Sequence, residues 1–227
     1  MLEDLFKIRL AEHNINNTLP IARPGIPYIL GLALVFLVSL FFEWCVVSVI
    51  FLILTIFTTW FFRDPNRVTP PGTFGISPAD GMIIRIDDTA KCPLTGVEAL
   101  KVSIFMNLFS VHVNRVPISG NLVRQDYYPG AFINASFDKA STENERNCLI
   151  IEDEKGHRIT MVQIAGLVAR RIACWVNIGQ NLKRGQRYGL IRFGSRVDLY
   201  LPKDVEIMVA LGQNVYAGSS PIWRFKD

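Results

Sequence analysis

Residues 197–211 read VDLYLPKDVEIMVAL, and this stretch decides the fold class. Apolar residues occupy every second position from 197 to 201 and again from 205 to 211. Such alternation predicts β-strands, because successive side chains of a strand point to opposite faces. Pro202-Lys203-Asp204, between the two runs, is typical of a turn. We therefore expect two strands in this stretch.

The same pattern of short alternating runs separated by turns continues through the chain after Arg63. Lys101 to Met106 alternates in the same way, and turn signals such as Asp153-Glu154-Lys155-Gly156 separate short runs. Gly166 to Arg171 is a candidate helix start or turn. We predict a mainly β (α+β) fold, with a compact domain like a β-sandwich or barrel and one or two short helices.

The region before Arg63 is different. Residues 26–62 read IPYILGLALVFLVSLFFEWCVVSVIFLILTIFTTWFF, with Glu43 as the one charged side chain. A single span needs roughly 20 residues, so we predict a transmembrane helical hairpin that turns at Glu43-Trp44. Positive charges flank both ends, which places both on the cytoplasmic side of the inner membrane. A cleaved signal peptide is the alternative, but the block starts late and runs long.

These features divide the chain into three parts. Residues 1–25 form an N-terminal tail, residues 26–62 the membrane hairpin, and residues 63–227 the main domain. In the tail, Leu2, Leu5, Phe6 and Leu10 share one possible helical face. An interfacial helix and a frayed tail both fit that pattern.

Composition excludes several classes of function. The formal net charge of +4 comes from scattered residues, which gives no reason to expect a nucleic-acid partner. The four cysteines form no CxxC pair, so reduced thiols are expected rather than a disulfide framework. With three histidines in the chain, we expect no metal site.

Three stretches carry the chemistry. The first is Phe62-Arg63-Asp64-Pro65 with Ser77-Pro78-Ala79-Asp80-Gly81, the second is Phe109-Ser110-Val111-His112-Val113-Asn114-Arg115, and the third is Ala217-Gly218-Ser219-Ser220. Asn144 to Asn147, Gln163 to Gly166 and Ile191 to Asp198 add to the pattern. In this order the motifs resemble the short bacterial and archaeal form of phosphatidylserine decarboxylase. The resemblance runs from about residue 60 to the C-terminus.

The resemblance implies a self-cleaving proenzyme. Asp80, His112 and Ser219 match the family's Asp-His-Ser constellation, with His112 as the base and Asp80 orienting it. The chain would be cut between Gly218 and Ser219 into a large chain, 1–218, and a small chain, 219–227. Ser219 would become a covalent pyruvoyl cofactor. A glycine before the serine suits this reaction, since it leaves the carbonyl open to the hydroxyl.

The resemblance also implies the substrate and the reaction. The pyruvoyl ketone would form a Schiff base with the amine of phosphatidylserine in the membrane and release phosphatidylethanolamine. Arg63 and Arg115 are candidates for binding the lipid phosphate or carboxylate, because arginine can bind either in a bidentate fork. Phe109 is a candidate contact for acyl chains. The oligomeric state stays open, a homo-oligomer included.

Two positions depart from the family pattern. Some members carry a second histidine three residues after the first, where this chain has Arg115. His112 must then serve both cleavage and decarboxylation, or Arg115 or a water takes one role. The cleavage motif is Gly-Ser-Ser here, where other branches have Gly-Ser-Thr.

Three alternatives remain. A membrane-anchored serine hydrolase would use the same Ser, His and Asp without self-cleavage. A tethered β-sandwich adaptor would need a modifiable lysine at a hairpin tip, for which Lys139 is the local match. A pyruvoyl enzyme acting on a soluble amino acid is also conceivable, although the hairpin argues against it.

Overall fold

A computed structural model describes residues 14–137, 140–166, 172–192 and 194–226. It divides into a helical unit, residues 16–66, and a β unit that contains residues 67–227. Three sequence features lie wholly or mostly outside the described residues. They are the apolar face of the tail, the segment from Gly166 to Arg171 beyond its first residue, and Lys139.

The helical unit contains two apolar helices. After a short 3-10 turn, Arg23–Gly25, helix α1 spans Ile26–Phe41 and helix α2 spans Cys45–Phe61. The break falls at the predicted place, where Glu43 adopts a left-handed backbone with φ of 58°. Beyond the break, Ser48 Oγ donates a hydrogen bond of 3.0 Å to Ser39 Oγ, which satisfies two buried hydroxyls between the helices.

Helix length bears on the membrane prediction. Together with its 3-10 turn, the first helix is 19 residues long, Arg23–Phe41, and has a mean hydropathy of 2.1. It is therefore long and apolar enough to span a bilayer. Helix α2 has 17 residues and falls short of that length. The crossing itself and the division of the chain at residues 25 and 62 stay predictions.

Within its described residues, the β unit consists of antiparallel strands and one short helix. The strands are β1 (Phe74–Ile76), β2 (Gly81–Lys91), β3 (Glu98–Met106), β4 (Val113–Arg115), β5 (Gly120–Tyr128), β6 (Arg146–Glu152), β7 (Arg158–Ala165), β8 (Ile172–Cys174), β9 (Asn181–Leu182), β10 (Arg187–Ile191), β11 (Ser195–Leu201), β12 (Val205–Ile207), β13 (Asn214–Val215) and β14 (Pro221–Phe225), with helix α3 (Ala140–Glu143) between β5 and β6. The mainly β prediction is confirmed.

The described strands form three sheets. An eight-stranded sheet, in the order β13-β2-β3-β11-β7-β6-β5-β9, curls into a half-barrel. The two smaller sheets have the orders β4-β10-β8 and β1-β14-β12. The main core contains residues from all three sheets, such as Ile104, Leu149, Tyr188 and Trp223. Small sheets therefore cover one face of the large one, as in a barrel-like domain.

Strand β11 follows the predicted alternation of residue types, but the structure buries every residue of it. Asp198 is fully buried because Lys101 Nζ lies 3.1 Å and Arg196 Nε 2.9 Å from its two carboxylate oxygens. Arg196 also donates hydrogen bonds to the carbonyls of Ala135 and Phe137, at 3.0 and 3.1 Å. The ion cluster therefore replaces the water that an exposed Asp198 would contact.

The second predicted strand is shorter than its pattern. β12 ends at Ile207, although apolar alternation continues to Leu211. The chain turns instead, because Gln213 donates its backbone N–H to Ala210 O and its side chain accepts a hydrogen bond from Ala210 N. Leu211 is consequently exposed rather than buried.

Strand β14 lies at the centre of its sheet, between β1 and β12. Ile222 and Trp223 in it are fully buried. At Gly75 of β1, an added Cβ would lie 2.1 Å from the Trp223 ring, so this glycine leaves room for the indole. The last strand of the chain is thus held by two neighbours and by the core.

All four cysteines are free thiols. Cys148 is fully buried, and burial raises the pKa of its thiol to about 12. This thiol therefore stays protonated at neutral pH.

We expect Asp198→Asn to lower the free energy of unfolding by about 3–5 kcal/mol, because two buried cations lose their counter-charge. Asp126→Asn is the matched control. Asp126 pairs with Arg124 on the surface and should contribute about 0–1 kcal/mol. Urea unfolding of both variants measures the difference. Equal losses in the two variants would contradict a stabilising role for the buried cluster.

Candidate active site

The loop before β2 and the loop before β14 bind each other directly. Gly218 N–H donates to Ser77 O at 2.8 Å, and Ser77 N–H donates to Ser220 O at 2.8 Å. The backbone of Ser77 therefore holds the residues on both sides of Ser219. Two motifs that lie about 140 residues apart in the sequence meet here.

Asp80 fixes the same loop through its side chain. Its Oδ1 accepts a hydrogen bond of 2.7 Å from the backbone N–H of Ala217, two residues before Ser219. Its Oδ2 lies 2.8 Å from Arg67 Nη2. Asp80 is buried, so this ion pair offsets the cost of holding a carboxylate away from water. The structure thus places the predicted Asp80 against the predicted cleavage loop.

Gly218 adopts a left-handed conformation, with φ of 77°, that disfavours any side chain. A Cβ added there would also lie 2.6 Å from Arg115 Cδ. Arg115 is buried and donates a hydrogen bond of 3.1 Å from Nη1 to Gly185 O. The sequence analysis explained this glycine by the open carbonyl that it leaves. The structure adds two reasons: the left-handed φ angle and the lack of room for a Cβ beside Arg115.

Ser219 is half-buried at the turn that follows. Its N–H donates to Tyr216 O at 3.2 Å, and its Oγ lies 3.4 Å from the same carbonyl oxygen. Ser220 closes the turn, because its Oγ accepts a hydrogen bond of 2.9 Å from Tyr216 N. Both serines therefore bind the backbone of Tyr216, but the Ser219 hydroxyl faces its carbonyl and the Ser220 hydroxyl accepts its N–H.

His112 directly precedes β4 and is fully buried. Its carbonyl accepts a hydrogen bond of 3.3 Å from Ile191 N. Three residues later, Arg115 N–H donates to Pro78 O at 2.9 Å, which joins this segment to the loop that carries Asp80. The segment from Ser77 to Asp80 therefore binds both the strand after His112 and the loop that contains Ser219.

The other predicted site residues are distributed differently. Phe109 lies on a turn before His112, where Asn107 Oδ1 accepts its N–H at 2.8 Å, and its ring is 64% exposed. Arg63 belongs to the helical unit, where its guanidinium lies 4.1 Å from the centre of the Trp60 ring. Arg115 packs on Gly218, as described above.

Arg67 is the site residue that sequence reasoning missed. In the sequence it counts only as a positive charge beside the apolar block, and in the structure it pairs with Asp80. Its guanidinium also lies 5.5 Å from the centre of the Tyr216 ring. The sequence offered one signal for this role: Arg67 lies two residues after the motif Phe62-Arg63-Asp64-Pro65.

A family model for phosphatidylserine decarboxylase matches residues 54–222. The chain belongs to the phosphatidylserine decarboxylase family. A phosphatidylserine decarboxylase proenzyme from Syntrophus aciditrophicus is 49% identical, over 90% of this chain and 97% of the length of that proenzyme. One from Nitratidesulfovibrio vulgaris is 50% identical over 92% and 96%, and one from Paraburkholderia xenovorans is 51% identical over 88% and 94%.

Membership of this family confirms the resemblance drawn from the three motifs. The matched region contains Asp80, His112 and Ser219 together with every strand from β1 to β13. The roles of these individual residues stay predictions. The structure contributes their setting: Ser77, Asp80 and Arg115, from two of the motifs, contact the loop that contains Gly218 and Ser219.

Proposed function

We propose that this chain cleaves itself between Gly218 and Ser219 and then decarboxylates phosphatidylserine to phosphatidylethanolamine. The observation that carries the proposal is the set of hydrogen bonds around that peptide bond. Ala217, Gly218 and Ser220 are each bound by the segment from Ser77 to Asp80. A peptide bond held from both sides lets a nearby hydroxyl act on a fixed carbonyl.

In the cleavage step, His112 takes the proton from Ser219 Oγ, which attacks the carbonyl carbon of Gly218. The C–N bond breaks, the nitrogen gains a proton, and the peptide becomes an ester. Loss of the Ser219 α-proton then expels the Gly218 carboxylate by elimination. Water hydrolyses the remaining dehydroalanine to a pyruvoyl group, with release of ammonia. By motif match, His112 is the base in this proposal and Asp80 the carboxylate that orients it, as in the general triad arrangement.

Arg67 and Arg115 have separate roles in this proposal. Arg67 offsets the charge of Asp80, so the carboxylate can hold Ala217 without a net buried charge. Arg115 lies against Gly218, where cleavage would create a new carboxylate at the end of the large chain. A guanidinium beside that carboxylate would stabilise the cut state.

The residues present fit the implied cofactor, because Ser219 is half-buried and follows the buried, left-handed Gly218. When formed, the pyruvoyl group supplies the electron sink that decarboxylation of an amino acid needs. His112 is our candidate for delivering a proton to the carbon that loses carbon dioxide.

The lipid substrate accounts for the apolar parts of the chain. Phe109, exposed on its turn, is our candidate contact for acyl chains, and Arg63 stays a candidate for the headgroup. We propose that the helical unit anchors the enzyme to the inner membrane with the β unit on the cytoplasmic side. An anchored enzyme need not extract a two-chain lipid into water.

The test is the mass of the purified chain together with its activity on phosphatidylserine vesicles. We expect a large fragment, 1–218, and a small one, 219–227, whose first residue carries a pyruvoyl group and resists Edman degradation. Vesicles should gain phosphatidylethanolamine. A whole, unmodified chain that reacts with serine-directed probes would favour the membrane-anchored hydrolase instead.

A further inference from the structure

Four side-chain amides form one hydrogen-bonded chain that runs from the half-buried Gln125 into the interior of the β unit. Gln125 Nε2 donates to Asn147 Oδ1 at 3.4 Å, Asn147 Nδ2 to Gln163 Oε1 at 3.0 Å, and Gln163 Nε2 to Asn114 Oδ1 at 2.8 Å. Asn114 and Gln163 are fully buried, and Asn147 is nearly so. We call these four residues the amide chain.

Every link of the amide chain runs in the same direction. Each amide donates from its nitrogen to the oxygen of the next, so the dipoles align head to tail and strengthen one another. At the end, Asn114 Nδ2 lies 3.7 Å from Met106 Sδ, a weak acceptor. Of Gln163 and Met106, Gln163 is therefore the stronger hydrogen-bond partner of Asn114.

The amide chain joins two sheets. Gln125, Asn147 and Gln163 lie on the neighbouring strands β5, β6 and β7 of the large sheet. Asn114 lies on β4 of a small sheet, so the last link crosses between the two layers. Gly189 of β10, opposite Asn114, makes room for this link, because a Cβ there would lie 2.9 Å from Gln163 Nε2.

Strand β4 needs such an anchor. It has three residues and lies at the edge of its sheet, so its backbone gives it few hydrogen bonds. Asn114 lies in its middle, two residues after His112 and one before Arg115. The segment that brings Arg115 to the cleavage loop is therefore bound to the large sheet through the buried amide of Asn114.

We propose that the amide chain positions His112 and Arg115 for self-cleavage by fixing β4 against the large sheet. Gln163 is the central positioning residue, because its amide accepts from Asn147 on the large sheet and donates to Asn114 on β4. This inference rests on the proposed function, since it assigns the amide chain to the reaction of Ser219. The alternative is that the amides satisfy one another in the core and leave the reaction unaffected.

The test follows self-cleavage of newly translated full-length chain in a cell-free system. Gln163→Met keeps most of the volume and removes both hydrogen bonds, and we expect its cleavage rate to fall about tenfold or more. Thr160→Val is the matched control. It lies on the same strand and loses a buried contact, Thr160 Oγ to Cys92 Sγ at 3.3 Å, outside the amide chain. Its rate should stay near that of the wild type.

Two further readouts separate positioning from stability. In the double variant Asn114→Leu/Gln163→Met, both partners become apolar, which should recover much of the melting temperature but none of the rate. The pH dependence of cleavage should also shift in Gln163→Met and stay unchanged in Thr160→Val. Cleavage of folded Gln163→Met at the wild-type rate would overturn the positioning role alone. A wild-type chain that never cleaves would overturn the proposed function as well.

Discussion

Replacing Ser219 with alanine should leave the 25.6 kDa chain whole and reduce decarboxylation of phosphatidylserine to background. Alanine lacks the hydroxyl that attacks Gly218, so neither the cut nor the pyruvoyl group can form. Without that group the chain has no electron sink, and ordinary side chains supply none. Intact-protein mass and release of labelled carbon dioxide from phosphatidylserine vesicles measure the two effects.

Ser220→Ala is the matched control, because Ser220 is the next residue and also carries a hydroxyl. Its Oγ accepts one hydrogen bond from Tyr216 N, so its loss should cost about 0.5–1.5 kcal/mol of loop stability and leave cleavage intact. If Ser219→Ala were cut and Ser220→Ala stayed whole, the cleavage site would lie one residue later. If neither cut nor activity changed, the pyruvoyl mechanism would be wrong.

Asp80→Asn should slow self-cleavage by up to about 10⁴-fold, the loss seen when a carboxylate that orients a catalytic histidine becomes an amide. Asparagine can still accept the Ala217 N–H through its oxygen, so the loop keeps that hydrogen bond. Its nitrogen would then face Arg67, donor against donor, in place of the 2.8 Å ion pair. The variant therefore tests the charge more than the shape of the site.

A pulse-chase of newly made chain measures this rate, with Asp87→Asn as the control. Asp87 lies on the strand that begins after Asp80 and accepts a hydrogen bond from Thr89 near the surface. It should leave the rate unchanged. Arg67→Met should slow cleavage to a smaller extent, because Asp80 keeps its charge but loses its partner. Wild-type cleavage by Asp80→Asn would remove Asp80 from the mechanism.

Local sequence signals predicted the features that depend on neighbouring residues. Alternation between positions 197 and 201 predicted a strand, and the charge of Glu43 predicted the break between two apolar helices. The motifs around Asp80, His112 and Ser219 predicted the family. Each of these predictions rests on residue types within a short stretch of sequence, so it needs no knowledge of contacts between distant residues.

Features that depend on distant residues were not predicted. The burial of Asp198 requires Lys101 from another strand, and the role of Arg67 requires Asp80 across the loop. Asn147 and Gln163 were noted only as parts of motifs, because nothing local shows that their amides meet Asn114. The end of β12 at Ile207 likewise depends on the turn at Gln213, whose backbone binds a distant strand: Ile83 N–H of β2 donates to Gln213 O at 2.9 Å.

The central place of β14 has a consequence for the enzyme after the cut. The nine-residue fragment would remain bound as a strand through its two neighbours, with Ile222 and Trp223 in the core. Once the protein unfolded, however, that fragment would diffuse away, and refolding would require two molecules to meet. Heat or denaturant would then inactivate the mature enzyme in a single irreversible event, whereas the uncut precursor could refold repeatedly.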